Sequence, residues 1–273
     1  MVRRMRVALS LLVFASFLLP GCGQPSGSLQ LWKSSTISHA KERGKLIVAL
    51  EAEFEPFEYI DKNGELVGFD VDLARILGDE MDISVEFTNI SFEGIIDTLL
   101  SKKCDLIISG MTATPKRALR VSYSEPYFHT VTCLLVSKKR GADIKSIADL
   151  NHEDRIVAVK QQTTGEAAAQ RRCPNAKIVS YGKEDDAALE VAFGRADAFL
   201  YDLRAVQNHH ARHPDTTFLL LEPVTVEPYA IACRKGDPDT VAWLNLVLHH
   251  LKRDGRLKEL YAKYRLENVE LGD

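Results

Sequence analysis

Two periods alternate along this chain, and the switches between them lay out its elements. Short apolar runs bounded by turn residues read as buried strands: KLIVALE at 45–51, Leu106-Ile107-Ile108 and RIVAVK at 155–160. Further strands are expected at 84–87, 131–137, 177–180, 198–201 and 227–232. Between them apolar residues recur every three or four positions, which predicts helices at 71–81, 92–100, 164–172, 185–194, 202–210, 240–252 and 256–264. Asp70 stands where a cap for the first of these is expected. Helical turns are expected near 39–43 and 147–150. Asp61-Lys62-Asn63-Gly64 separates Tyr59-Ile60 from Leu66-Val67 as a small hairpin. Strand, helix, strand, helix, strand, repeated twice, is the pattern of an α/β fold with open parallel sheets. Ligands in such sheets sit at the carboxyl ends of the strands.

One junction combines strand, loop and helix start. Asp105 to Arg120 reads DLIISGMTATPKRALR. The apolar run ends in the small-residue loop Ser109-Gly110-Met111-Thr112-Ala113. Thr114 then suits an N-cap and Pro115 the first helical position. Backbone N–H groups left over there, with the helix dipole, favour an anion. Arg117 in the first turn gains nothing from that dipole, but its planar fork suits two-point binding of a carboxylate.

Composition narrows the options. The chain has 273 residues, 45% of them hydrophobic, enough for one large domain or two moderate ones. A net charge of −3 gives no basic surface for nucleic acid. None of the five cysteines forms a CxxC or has metal-ligand spacing, so no cofactor and no metal is expected. His209, His210 and His213 read as a solvated helix end.

Arg3, Arg4 and Arg6 precede an apolar run from Val7 to Leu19, too short to span a bilayer comfortably and right for an export signal. Leu19-Pro20-Gly21-Cys22 resembles a bacterial lipobox, which implies cleavage after residue 21, acylation of Cys22 (palmitate among the acyl groups) and a lipid-anchored, extracytoplasmic protein. Residues 22–38, with Pro25-Ser26-Gly27-Ser28 and Ser34-Ser35-Thr36, read as a flexible tether. In an exported chain disulfides are permitted. Cys104 starts the third strand and Cys233 lies at similar depth on its expected antiparallel neighbour, so this pair is the candidate bridge.

Seven segments in order carry a family likeness: PFEY at 56–59, LVGFDVDLA at 66–74, FEGII at 92–96, DLIISGMTATPKR at 105–117, YSEPY at 123–127, ADAFLYD at 196–202 and DGRLKELYAKY at 254–264. Together they resemble the family 3 bacterial extracellular solute-binding proteins, which capture polar amino acids for ABC importers. The likeness runs from about Lys45 to Arg265. It implies a two-lobed periplasmic-binding-protein-like fold of type II, two open sheets joined by two crossing strands. Residues 39–128 and 229–273 would form the first lobe and 132–225 the second, with the crossings at 127–131 and 225–229. It also implies a monomer partnered by permease subunits.

A free amino acid carries a carboxylate and an ammonium, and burying both requires a partner for each. By this resemblance Arg117 grips the carboxylate, with the loop residues Ser109, Gly110 and Thr112 beside it and Thr164 reaching from the second lobe. Asp202, after the strand 198–201, takes the ammonium. Phe54 and Phe92 flank the ligand side chain. Glu51 stands where an aspartate often meets the distal group. A carboxylate there suits a basic amino acid first, since it favours a cationic partner. Lys160 and Gln161 lie at the next strand end, and a lysine inside the pocket would point to glutamine instead. Glu227 faces either ligand or solvent.

Two rivals share the scaffold. A cyclohexadienyl dehydratase would recruit Glu51 or Glu227 as its proton-transferring acid. A ligand sensor would act through a membrane partner. Keeping both Arg117 and Asp202 favours amino-acid capture without catalysis.

Overall fold

The computed structural model describes residues 35–266. The export signal, Cys22, nearly all of the tether and residues 267–273 lie outside the described residues. The described chain opens with α1 (Thr36–Arg43), capped by the Ser35 side chain and closed by Gly44 at φ 75°. Residues 36–38, expected in the tether, are therefore helical. They are tied down because the Thr36 N–H donates to Asp237 Oδ2 at 2.7 Å.

The first lobe continues with β1 (Lys45–Leu50), β2 (Glu53–Phe54), β3 (Glu58–Ile60), β4 (Leu66–Val67), α2 (Phe69–Glu80), β5 (Ser84–Asn89), α3 (Phe92–Leu100), β6 (Leu106–Ile107) and α4 (Pro115–Ala118). β7 (Val121–Ser137) leads into the second lobe, which holds a 3-10 turn (Ile147–Leu150), β8 (Ile156–Lys160), α5 (Thr164–Arg172), β9 (Lys177–Tyr181), α6 (Glu184–Ala192), β10 (Ala198–Asp202) and α7 (Leu203–Arg212). β11 (Thr217–Arg234) returns to the first lobe, and α8 (Pro238–Asp254) and α9 (Arg256–Lys263) close it. Two α/β units in tandem match the expectation from periodicity.

The two sheets are joined more intimately than expected. Their strands form one eight-stranded ladder in the order β5-β1-β6-β11-β7-β10-β8-β9, with β2-β3-β4 as a separate small sheet. The crossings are the middles of two long antiparallel partners, β7 and β11, rather than short connectors. Pro126, Pro223 and Pro228 hid these strands in the sequence, because proline lacks an N–H for the ladder. The β7/β11 register slips between Leu220 and Thr225 and twice more between Tyr229 and Ala232, near those prolines.

The core lies on both faces of the ladder. On one face Leu46, Val48, Leu106 and Ile231 pack with Phe69, Leu73 and Leu77 of α2 and Leu248 and Leu251 of α8. On the other, Ala49, Ile107 and Ala232 pack with Ile95 and Leu99 of α3. This division overturns the disulfide expectation. Cys104 is buried with Ile107 and Ala232, whereas Cys233 is buried with Leu106 and Ile231 on the opposite face. Both are free thiols, as are Cys133 and Cys173. Desolvation pushes Cys104 and Cys233 each up to about 12.

Candidate functional site

The carboxyl ends of β1, β6, β8 and β10 converge on one small cavity between the lobes. From the first lobe it is lined by Glu51, Phe54, Glu58, Phe92, Ser109, Gly110, Thr112 and Arg117. From the second come Lys160, Thr163, Thr164, Tyr201 and Asp202. Nine of the ten expected pocket residues are thus brought together. The cavity measures about 20 Å³, room for little more than a water. A wider groove of about 810 Å³ adjoins it past Phe92, Thr112 and Arg117.

Gln161 is the exception. It stays at the cleft mouth, where its Nε2 donates to Glu93 Oε1. Strand alternation decides this: β8 turns Lys160 inward, and Gln161 beside it faces out. Lys160 is 2% exposed and its Nζ forms an ion pair with Oε2 of Glu51, itself 7% exposed. The other Glu51 oxygen, Oε1, accepts the N–H of Phe92 at 3.1 Å, from the first residue of α3. A buried pair of this kind persists only when further hydrogen bonds complete it.

Arg117 is held by its own loop and by the opposite lobe. Nη1 donates to the Thr112 carbonyl at 2.9 Å and Nη2 to the Gln162 carbonyl at 3.0 Å. The guanidinium lies 5.2 Å from the centre of the Phe92 ring. Burial lowers its pKa, opposed by Tyr123, Glu227 and Asp202. Two of its five N–H donors are engaged, which leaves three for a ligand.

Thr114 caps α4 as expected, its Oγ1 accepting the Arg117 N–H at 3.2 Å, with Pro115 following. The anion nest does not form as expected. α4 has only four residues, so little dipole accumulates. The loop N–H groups have internal partners: Gly110 donates to Asp70 Oδ2 at 2.7 Å and Ala113 to the Pro228 carbonyl at 2.9 Å. Ser109 is also engaged, its Oγ donating to Glu58 Oε1 at 2.6 Å and accepting the Glu51 N–H at 3.1 Å. The Thr112 hydroxyl donates to Glu227 Oε2 at 2.5 Å. The Gly110 N–H and the hydroxyl protons of Ser109 and Thr112 are therefore already spent on the protein's own acids, which leaves the Arg117 guanidinium as the donor fork in the lining.

Asp202 ends β10 at the first turn of α7, yet its side chain makes no capping hydrogen bond. It accepts from the Tyr229 hydroxyl at 2.6 Å. Burial, with Glu227 adding to it, pushes its carboxyl up to about 8. Glu227 is buried on β11 and lines the groove rather than the cavity.

Two further expectations change. Asp70 does not cap α2; Gly68 takes that position, and Asp70 is fully buried. His209 is 3% exposed, not solvated, and lies between Glu184 (3.4 Å) and Asp185 (3.7 Å). Among the described residues no cluster fit for a metal is present. Glu58, Thr163 and Tyr201 went unread as cavity residues. Tyr201 carried a usable signal, since it immediately precedes Asp202 on the same strand.

The profile of the bacterial extracellular solute-binding proteins, family 3, matches residues 46–267. The chain belongs to this family. The ABC transporter glutamine-binding protein GlnH of Bacillus subtilis is 30% identical over 265 residues, covering 94% of this chain and 95% of its own. The ABC transporter arginine-binding protein 1 of Escherichia coli is 32% identical over 221 residues, covering 79% and 88%. Among solved structures, the ancestral amino-acid-binding protein AncCDT-1, a precursor of cyclohexadienyl dehydratase, superposes with a TM-score of 0.77 at 40% identity, covering 85% of this chain and 99% of its own. The family is extracytoplasmic, binds amino acids and works with ABC permeases, and the two-lobed type II fold is shared with these neighbours. Among the described residues no helix is long and apolar enough to cross a membrane.

Proposed function

We propose that this family member captures an amino acid with an uncharged polar side chain, glutamine being the best fit, and delivers it to an ABC importer. The observation that carries this reading is Lys160 buried against Glu51 inside the cavity. A bare carboxylate would call for a cationic side chain. An acid with a lysine beside it offers one acceptor and one donor, the complement of a carboxamide. Arg117 receives the ligand's carboxylate through its remaining N–H donors, and Asp202 the ammonium. Phe54 and Phe92 flank the side chain. Thr164 adds a polar contact from the second lobe.

A basic amino acid is the second reading. Glu51, Glu58 and Asp202 outnumber Arg117 and Lys160 in the cavity lining, and one of the relatives is named for arginine. It requires Lys160 to leave Glu51. The cavity is too small for either ligand as it stands, so capture begins with the lobes parted at the middles of β7 and β11 and ends with them closed. The protein acts as a monomer, anchored through acylated Cys22, a reading supported by the sequence at residues 19–22. Binding without turnover is supported by Arg117 and Asp202 lining one cavity as candidate ion partners for a zwitterion.

Calorimetry against the twenty amino acids and ornithine tests the ligand. Tightest binding by glutamine is expected; tighter binding by arginine or lysine would establish the second reading. Turnover of prephenate or arogenate would overturn both.

A further inference from the structure

Two acids bond the Ser109–Gly110 loop, Glu58 from the cavity lining and Asp70 from outside it. Glu58 on β3 is 1% exposed and Asp70 in the first turn of α2 is 0% exposed. Each spends one oxygen on the protein. Glu58 Oε1 accepts the Ser109 hydroxyl at 2.6 Å. Asp70 Oδ2 accepts the Gly110 N–H at 2.7 Å and the Tyr127 hydroxyl at 2.8 Å. The remaining oxygens, Glu58 Oε2 and Asp70 Oδ1, are buried and have no hydrogen-bond partner. Their partners, the Ser109 hydroxyl and the Gly110 N–H, belong to adjacent residues, so the two carboxyls are gathered under the same short loop.

One proton resolves this arrangement. Placed on Glu58 Oε2 and directed at Asp70 Oδ1, it gives both orphaned oxygens a partner and leaves one negative charge where two would repel. The charge then rests on Asp70, where the Gly110 N–H and the Tyr127 hydroxyl already point. We propose that Glu58 and Asp70 share a single proton, and that this proton fixes the Ser109–Gly110 loop and thereby ligand affinity. They are positioning residues, acting on the ligand through the loop, and the proposal rests on the amino-acid-binding reading for its effect on affinity.

The surroundings agree. Burial raises Glu58 well above its ordinary value, with Asp70 adding to it, and raises Asp70 to about 7. The charged groups facing the pair are Lys160, which opposes the rise at Glu58, and Glu51, which adds to it. Tyr127 stays protonated as a donor, its own pKa raised by burial and by both acids. Loss of the proton would set two carboxylates against each other beneath Gly110, which sits at φ 48° against the Phe54 ring. The loop has little room to absorb the push.

Glu58→Gln replaces the shared proton with an amide that donates at any pH. Affinity for the best-binding amino acid is measured by calorimetry from pH 6 to 8.5 in the full chain and in the variant. The wild type should weaken relative to Glu58→Gln by about threefold or more across that range; taking the ratio cancels titration elsewhere in the site. Infrared difference spectroscopy gives an arm that needs no ligand. On an Asp202→Asn background, which removes the other buried carboxyl raised to about 8, a protonated buried carboxyl band should be present at pH 7, diminish by pH 9 and be missing once Glu58→Gln is added. A constant ratio, or no such band at pH 7, would overturn the proposal. If no amino acid binds at all, the functional reading fails while the infrared arm still decides the shared proton.

Discussion

Lys160 and Glu51 join the two lobes through a buried ion pair, the lysine ending β8 of one and the glutamate directly following β1 of the other. Each is the inward-facing last residue of its strand or the residue just past it. On the proposed reading, opposite charges at facing strand ends act at once as a latch and as a filter on what enters between them.

The filter can be inverted. Lys160→Met leaves Glu51 buried without its counter-charge, which costs about 3–5 kcal/mol of stability in the closed form. The same uncompensated carboxylate would welcome a cation. Glutamine affinity should fall by about tenfold or more while lysine and arginine gain. A variant that keeps the wild-type order of amino acids in a thermal-shift screen would count against Lys160 as the filter.

Arg117 carries a different load. On the proposed reading it is the cavity's fork for a carboxylate, and it also ties the lobes by donating to the Gln162 carbonyl. Arg117→Ala should therefore weaken the amino acid by about 2–5 kcal/mol, roughly 30-fold to several thousand-fold. Arg117→Lys keeps charge but loses the planar fork, and should recover only part. Calorimetry on both variants checks this; unchanged affinity in Arg117→Ala would contradict it.

The architecture was readable because periodicity depends on local chain geometry, which packing reinforces here. Thr114 capping α4 with Pro115 behind it was legible for the same reason, since a cap needs only neighbours three residues away. The partners chosen by side chains were less so. Asp70 looked like a cap because acids often are; its true partners, Gly110 and Tyr127, lie 40 and 57 residues along the chain. Lys160 and Gln161 could not be told apart without knowing the strand's phase. The Cys104–Cys233 expectation had no information on which face each thiol occupied, nor on the register, in which Ala232 pairs with Ile107 and Cys233 falls beside Leu106 rather than Cys104.

That correction has its own test. With all four described thiols free and buried, a thiol reagent should label none of them in the folded chain and all four after denaturation, without reductant. Dithiothreitol should leave the melting temperature unchanged. Only two reactive thiols among Cys104, Cys133, Cys173 and Cys233 in the denatured chain would restore a disulfide.

Gly68 holds the base of the site. It sits at φ 138°, and a Cβ there would lie 2.1 Å from the Phe57 carbonyl oxygen, a backbone atom that cannot yield cheaply. Asp70 is two residues on, so any shift is passed to the Gly110 loop. Gly68→Ala should destabilise by about 3 kcal/mol or more, on the scale of severe steric and backbone lesions. Gly64→Ala is the control: it too has a positive φ, 83°, but open space around its Cβ, and should cost only about 1 kcal/mol. Denaturant melts of the two variants would show equal losses if the close approach at Gly68 did not matter.

Asp202 gives binding and stability opposite responses to pH. Its carboxyl is pushed up to about 8, first by burial and then by Glu227, so at neutral pH it largely holds a proton. An ammonium placed beside it favours the charged form and lowers that value. Ligand binding near pH 7 should then release up to about one proton, and affinity should rise as pH increases from 6 to 8. Calorimetry in buffers of different ionisation enthalpy reads the released proton directly, and Asp202→Asn should abolish it. For folding the sign reverses. A carboxyl whose folded value lies above its unfolded value of about 4 contributes stability below that pH and loses it as pH rises through the folded value. Asp202 at about 8 and Asp70 at about 7 share this sign. The ligand-free melting temperature should therefore decline between pH 5 and 9, while added ligand protects increasingly well over pH 6 to 8. A ligand-free melting temperature that climbs with pH over that window would mean these carboxyls are ionised in the folded chain.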